Sequence, residues 1–286
     1  MKKLIIPVLA GLGIVCAFIT AETEFSETIN REFTLQKADS ESTLVIWNVF
    51  GSINVEGYSG NKVLCSVKRT ISSNQSQEVE KGKTEVKLEF EQNADSIMAY
   101  TSEPYDSRPG RDNNMSHNRK IDYNYRLDFT IKVPYNMHLD ISTVLSGDID
   151  VDHVEGKLDV SHVNGAIVLD NIKGITNVNT VNGDIDIQYT SNPSGESTYK
   201  TINGDINVSF QPDLSADLQF KSMMGEFFTD FSELRMLPPV IKKHQQEEKN
   251  GTVYKVEKVT SIRFGNGGPL FKFETLNGNV YIKKQS

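Results

Sequence analysis

The chain has 286 residues, with 30 basic and 38 acidic side chains, a formal net charge of −8, 20 glycines and two cysteines. At 37% hydrophobic and 24% charged, it is neither disordered nor a bundle of membrane spans, and it is long enough to bury a full core. The acidic balance excludes nucleic acid as a partner, because phosphates need a basic face to meet them.

Met1-Lys2-Lys3 is a short basic start, Leu4 to Ile19 is almost wholly apolar, and Ala21 precedes Glu22. This is the layout of a secretory signal peptide over residues 1–21, cleaved after Ala21. Two alternatives stand beside it. A retained anchor would have to span with about 16 apolar residues where roughly 20 are needed. A lipoprotein modified at Cys16 would normally have Gly, Ala or Ser before the cysteine, and here Val15 stands there. Cleavage leaves Cys65 as the last cysteine, so no internal disulfide forms, and loss of Lys2 and Lys3 takes the formal charge to −10. The expected location is therefore exported (periplasmic, cell-surface or secreted), with no membrane span after cleavage.

Residues 22–140 read as an irregular β region, antiparallel for the most part and continuous with the C-terminal half. Strands are expected at Leu44 to Gly51, Ser52 to Val55, Val63 to Thr70, Thr84 to Phe90, Ser96 to Thr101 and Tyr123 to Val133, with a short helix at Ser76 to Lys83. Ser102 to Lys120 is rich in Asp, Asn, Arg and Pro and reads as a loop. Its Tyr105, Arg108, Arg111, Arg119 and Lys120 make it locally basic on an acidic chain. These five residues are the candidate binding loop for an anionic surface polymer or an acidic envelope protein. Tolerated decoration is the equal alternative.

Residues 141–286 are organised by a repeat. Glycines stand at Gly147, Gly156, Gly165, Gly174 and Gly183, in steps of nine, and the beat continues more loosely through Gly204, Gly225 and Gly278. Apolar residues lie two before each of the first five (Leu145, Val154, Val163, Ile172, Val181), and mostly two and four after. That alternation describes half-buried strands. Asn-Gly alternates with other dipeptides, so the steps are halves of an 18-residue coil whose Asn and Gly suit corners of positive φ. Stacked coils make a parallel β-solenoid or β-roll, about six coils and near 29 Å long at roughly 4.8 Å per coil. Antiparallel hairpins on the same turns are the alternative. Glu233 to Gly251 contains Pro238-Pro239 and a charged run and reads as a second loop. The final strand, Asn279 to Ile282, ends in Lys283-Lys284; read as an edge guarded by lysines, it implies a monomer.

The units Thr180-Val181-Asn182-Gly183-Asp184-Ile185, Thr201-Ile202-Asn203-Gly204-Asp205-Ile206 and Thr275-Leu276-Asn277-Gly278-Asn279-Val280 resemble the recurrent unit of the bacterial "putative adhesin" family. Ile262-Arg263-Phe264-Gly265-Asn266-Gly267-Gly268-Pro269 is similar to its C-terminal signature. The resemblance covers roughly residues 44–284. It implies an exported, β-roll-like domain of largely unknown function, brings no catalytic residues with it, and by analogy points to envelope-stress systems.

Motifs for enzyme chemistry are missing from the sequence. There is no His-Glu-x-x-His, no Cys-x-x-Cys, no Gly-x-Ser-x-Gly and no phosphate loop. His153 and His162 fall on opposite sides of an 18-residue coil and read as surface corner residues. Asp148, Asp150, Asp184 and Asp186 flank inward isoleucines, so they read as solvated charge on the outer face and not as a calcium cage. No catalytic, cofactor or metal residue is assigned. The leading expectation is a non-enzymatic, adhesin-like envelope or surface protein. An accessory protein of an envelope-stress system and a carbohydrate-active enzyme on a solenoid are the alternatives.

Overall fold

The computed structural model describes residues 23–110, 120–248 and 251–285, with side chains left out over 240–258. The expected signal segment, Cys16, and residues 111–119 of the expected loop lie outside the described residues.

In chain order the strands are β1 (Thr23–Thr34), β2 (Thr43–Trp47), β3 (Ile53–Tyr58), β4 (Lys62–Ser73), then helix α1 (Ser76–Glu85), β5 (Lys87–Gln92), β6 (Ser96–Glu103) and β7 (Asn124–Pro134). The repeat half continues with β8 (His138–Ser142), β9 (Ile149–Asp152), β10 (Leu158–Ser161), β11 (Ile167–Ile172), β12 (Thr176–Asn179) and β13 (Ile185–Tyr189). It ends with β14 (Ser197–Lys200), β15 (Ile206–Phe210), β16 (Ala216–Lys221), β17 (Phe227–Thr229), β18 (Leu234–Glu248), β19 (Gly251–Phe264), β20 (Leu270–Glu274) and β21 (Val280–Lys284).

These strands form two sheets that face each other across one core. Sheet A runs β1-β4-β7-β3-β9-β11-β13-β15-β21-β17, and sheet B runs β18-β19-β16-β20-β14-β12-β10-β8-β2-β6-β5. Each coil supplies one strand to each sheet, paired in parallel with the coils above and below. Inward residues are fully buried: Ile149, Leu158, Ile167, Ile185 and Ile206 are all 0% exposed. The parallel solenoid expected from the period of nine is therefore the fold.

The stack is longer than expected and not in chain order. Eight coils can be traced. They run from β6–β7 through β2–β3, β8–β9, β10–β11, β12–β13 and β14–β15 to β20–β21, and finally β16–β17. At about 4.8 Å per layer the prism is roughly 38 Å long. The β2–β3 coil, which looked like an outlying copy, sits inside the stack, because β2 pairs in parallel with both β6 and β8. The N-terminal region is accordingly mixed, with antiparallel pairing confined to β1–β4, β4–β7 and β5–β6.

At the other end the chain skips a layer after β15, forms β16–β17, and later returns to fill the empty layer with β20–β21. The last strand is thus flanked by β15 and β17 and is not the lysine-guarded edge expected from the sequence. The stretch expected as a second loop instead holds all of β18, which pairs antiparallel with β19, and β19 pairs in turn with β16. Pro238-Pro239 fits there because the pairing register shifts between Leu237 and Val240.

The core changes character along the stack. Aliphatic in the regular coils, it turns aromatic where the spacing stretches: Tyr189 stacks on Phe210 at 5.2 Å, Phe210 on Phe271 at 5.3 Å, and Tyr199 on Phe273 at 4.7 Å. The hydroxyls of Tyr189 and Tyr199 satisfy each other at 2.7 Å, and burial pushes both phenols up in pKa. A small second core joins Ile71, Val79, Val86, Tyr123 and Tyr125 under α1. Cys65 is buried in β4, and burial pushes its thiol up to about 12, so it packs as an inert side chain.

Candidate binding surface

The Asn-Gly corner shows what the repeat residues do. Three before glycine, Thr180 donates its hydroxyl to the Gly165 carbonyl of the preceding coil (3.2 Å), Thr201 to Gly183 (3.0 Å) and Thr275 to Gly204 (3.3 Å). Thr143 serves Gly51 in the same way at 2.9 Å. His162 takes this place in its own coil, with Nε2 2.6 Å from the Gly147 carbonyl and Nδ1 accepting from the Val163 amide at 2.8 Å. His162 is 2% exposed, not the surface residue expected, because its ring replaces a buried threonine.

The asparagines form a ladder. Asn182 Nδ2 donates to Asn164 Oδ1 (2.8 Å), Asn203 to Asn182 (2.7 Å) and Asn277 to Asn203 (2.8 Å). Their role is this amide stack and not positive φ, which among the described non-glycine residues occurs at Ser146, His153 and Asn171. Glycine is required mainly by close approach. A Cβ on any of Gly147, Gly156, Gly165, Gly174, Gly183, Gly204, Gly225 or Gly278 would overlap backbone of the coil stacked against it. Only Gly204 (φ +154) and Gly278 (φ +150) of these eight also have positive φ.

The aspartate after glycine caps the adjoining coil. Asp148 Oδ1 accepts from the Ala166 amide (2.9 Å), Asp184 from Asp205 (2.8 Å) and Asp205 from Asn279 (2.7 Å). Asp150 and Asp186 do face outward, as expected. Partial desolvation, then neighbouring aspartates, raise the pKa of Asp150; desolvation also leads at Asp186. Among the described residues no group of three or more His, Cys, Asp and Glu is placed to hold a metal ion.

The apolar residue two before glycine behaves differently at the two corners. At the second corner it is buried, as at Val154 and Ile172. At the Asn-Gly corner it turns outward: Leu145, Ile202 and Leu276 are exposed, and Val163 and Val181 half-buried. This apolar row ends in a groove of about 450 Å³ bounded by Ile202, Leu276, Met223, Lys200, Lys221 and Glu274.

The described part of the candidate loop is held down. Arg108 pairs with Asp106 (Nη2 to Oδ2 2.6 Å) and lies 4.2 Å over the Tyr100 ring. Ser107 Oγ donates to the Trp47 carbonyl at 2.5 Å and accepts from the Thr101 amide at 2.9 Å. Tyr105 packs against the second core. Lys120 is largely exposed and lies 3.1 Å from Asp122. Arg111 and Arg119 lie outside the described residues. The loop therefore starts as a pinned element, and of the three described candidate residues Lys120 is the one that is largely exposed.

Residues 129–264 match the family model Toastrack DUF4097. Over these residues the chain is similar to the Toastrack family. The match runs from within β7 to the end of β19, so the returning coil β20–β21 lies beyond it. Among solved structures, the chain is similar to a "putative cell adhesion protein" from Clostridium sporogenes ATCC 15579, at 13% identity and a TM-score of 0.43, over 91% of this chain and 100% of that one. It is also similar to a "putative adhesin" from Bacteroides fragilis NCTC 9343, at 10% identity and a TM-score of 0.36, over 91% and 97%. At those scores neither bears on what the chain does. No curated protein matches the chain. Among the described residues no helix is long and apolar enough to cross a membrane.

The sequence pattern contained the Thr, Asn, Gly and Asp positions of the corner but not their division of labour. The recurrence of Thr at 180, 201 and 275 was the available signal for the carbonyl ladder.

Proposed function

We propose that this protein is a non-enzymatic scaffold of the bacterial envelope or surface that binds another envelope component. The observation that carries this reading is the occupation of the repeat. The threonine, asparagine, glycine and aspartate of the corner units are engaged in stacking one coil on the next. A rigid prism results, whose recognition elements are its outward rows, its ends and the 102–120 loop. The adhesin-like resemblance and the signal-like residues 1–21 support the same direction. Crosslinking in intact cells, with fractionation, tests it. The expected result is a processed protein in the envelope fraction, crosslinked to an envelope partner, with the crosslink weakened by deletion of 102–120. An unprocessed protein in the cytoplasmic fraction would overturn the reading of location, and an unchanged crosslink would overturn that of the loop.

A further inference from the structure

Three of the four sheet ends carry antiparallel strands that close them: β4 and β1 on sheet A, β5 on sheet B, and β19 and β18 on the other end of sheet B. The fourth does not. Among the described residues sheet A stops at β17, three residues long, with no strand on its outer side.

The free backbone groups can be named. Ile206 donates its amide to the Asn279 carbonyl, and Val280 donates to Glu226, each bonding to the next coil outward. Phe227 is in register with Val280, and Val280 with Ile206. The same phase therefore points the N–H and C=O of Phe227 and Thr229 outward, where no described strand pairs with them. Sheet B meanwhile runs two strands further, and its overhang is apolar on the inner face. Leu234 and Met236 are opposite Phe264 and Ile262, which are buried, so they share that face. They are 40% and 61% exposed. The result is a step, with an open strand edge as its floor and an apolar wall. Met224 stands where the other coils have asparagine, so the amide ladder ends here while the backbone edge stays open.

A second copy is a poor fit through this edge. The two-fold that would join β17 to β17 of another molecule brings both sheet B overhangs, each about 10 Å deep, into the same space. A single strand has no such collision. We propose that the step between β17 and the β18–β19 overhang is a docking site for an extended segment of a partner protein. The segment adds to sheet A as a further strand and sets apolar side chains, at alternate positions, against Leu234 and Met236. The site does not depend on where the protein resides, so its failure and that of the proposed location are separable.

The probe is a fluorescein-labelled synthetic peptide of residues 275–284 of this chain, added to the full-length protein. Its sequence already makes this kind of pairing to β15. Binding should raise its anisotropy and slow amide exchange at Phe227 and Thr229. Met236→Asp should weaken binding at least tenfold without changing the melting curve; Thr229→Pro, which removes the outward amide together with the bond from the Phe231 amide to Thr229 Oγ1, should weaken it as much at some cost in stability. A peptide N-methylated at Asn279 and Tyr281 should fail, while one N-methylated at Val280 and Ile282 should bind, which tests the geometry without altering the protein. No binding at millimolar peptide, or binding indifferent to the methylation pattern, would overturn the proposal. So would sedimentation showing a dimer that Thr229→Pro dissociates, since a second copy would then be the occupant.

Discussion

His162 Nε2 lies 2.6 Å from the carbonyl oxygen of Gly147, in the place where Thr180, one coil later, donates to Gly165 at 3.2 Å. Two unlike side chains thus meet one requirement. A glycine carbonyl at the corner needs a donor, because the tight approach that demands glycine also keeps water from its oxygen.

The first prediction rests on that requirement. Thr180→Val keeps the shape of the side chain and removes the donor, leaving the Gly165 carbonyl without its bond. It should cost about 1–3 kcal/mol, and Thr180→Ser distinctly less. Urea denaturation of the two variants checks this, and a larger loss in Thr180→Ser than in Thr180→Val would mean that the methyl group, not the hydroxyl, matters.

Gly183→Ala tests the close approach. Its Cβ would overlap the Gly165 carbonyl, and backbone on both sides of the contact cannot swing away as a side chain could. The two coils must separate, at a cost of about 3 kcal/mol. A thermal shift within error of wild type would show that the corner is looser than the stacking implies.

How much of the fold is legible in the sequence varies by element. The coil, its inward register at Ile149 and Ile185, and the helix after Ser76 follow from local periodicity, which one chain segment carries by itself. Stacking order does not. Nothing within β20 or β21 tells that they enter between β14–β15 and β16–β17, because that order is set by which backbone edge is free. The edge strand β1 was missed for a related reason. Its Glu24, Glu27, Arg31 and Glu32 make it read as polar coil, yet charge on an edge strand discourages further pairing. At the Asn-Gly corner, Ile202 and Leu276 share the apolar pattern of buried Ile172, and only the turn decides which way they face.

The outer column of sheet A offers a pH test. Asn54, Asp150, Asp186 and Asn207 occupy equivalent register positions. In the fold, partial desolvation, then Asp148 and Asp170, raise the Asp150 carboxyl above its ordinary value. A raised carboxyl binds its proton more tightly in the folded state, so its ionisation opposes folding at neutral pH. That penalty disappears as pH falls to the unfolded value near 4. Asp150→Asn should therefore stabilise at pH 7, by about 0.5 kcal/mol or less because the side chain is exposed. The advantage should hold at pH 7 and be lost as the pH falls through the raised folded value towards about 4. Melting curves across that range check the sign, and a benefit that grows on acidification would contradict it.

The returning coil gives the sharpest test of the topology. Removing the last coil of a chain-ordered solenoid would uncover one end and leave the remaining layers paired. Here β20 and β21 lie inside both sheets, so ending the chain at Pro269 removes the strands that join β16–β17 to β14–β15. It also strips Phe271 and Phe273 from their stacks with Phe210 and Tyr199. Everything from β16 to β19 should then lose protection from hydrogen exchange, while β8 to β13 keep theirs. A gentler probe is Ile282→Asp, which buries an unpaired carboxylate in the same layer at a cost of several kcal/mol, of order 3–5. It should raise exchange first in β16, β17, β20 and β21. If β16–β19 stayed protected in both variants, they would have to pair directly with β14–β15, and the skipped layer would not be a fixed feature of the fold.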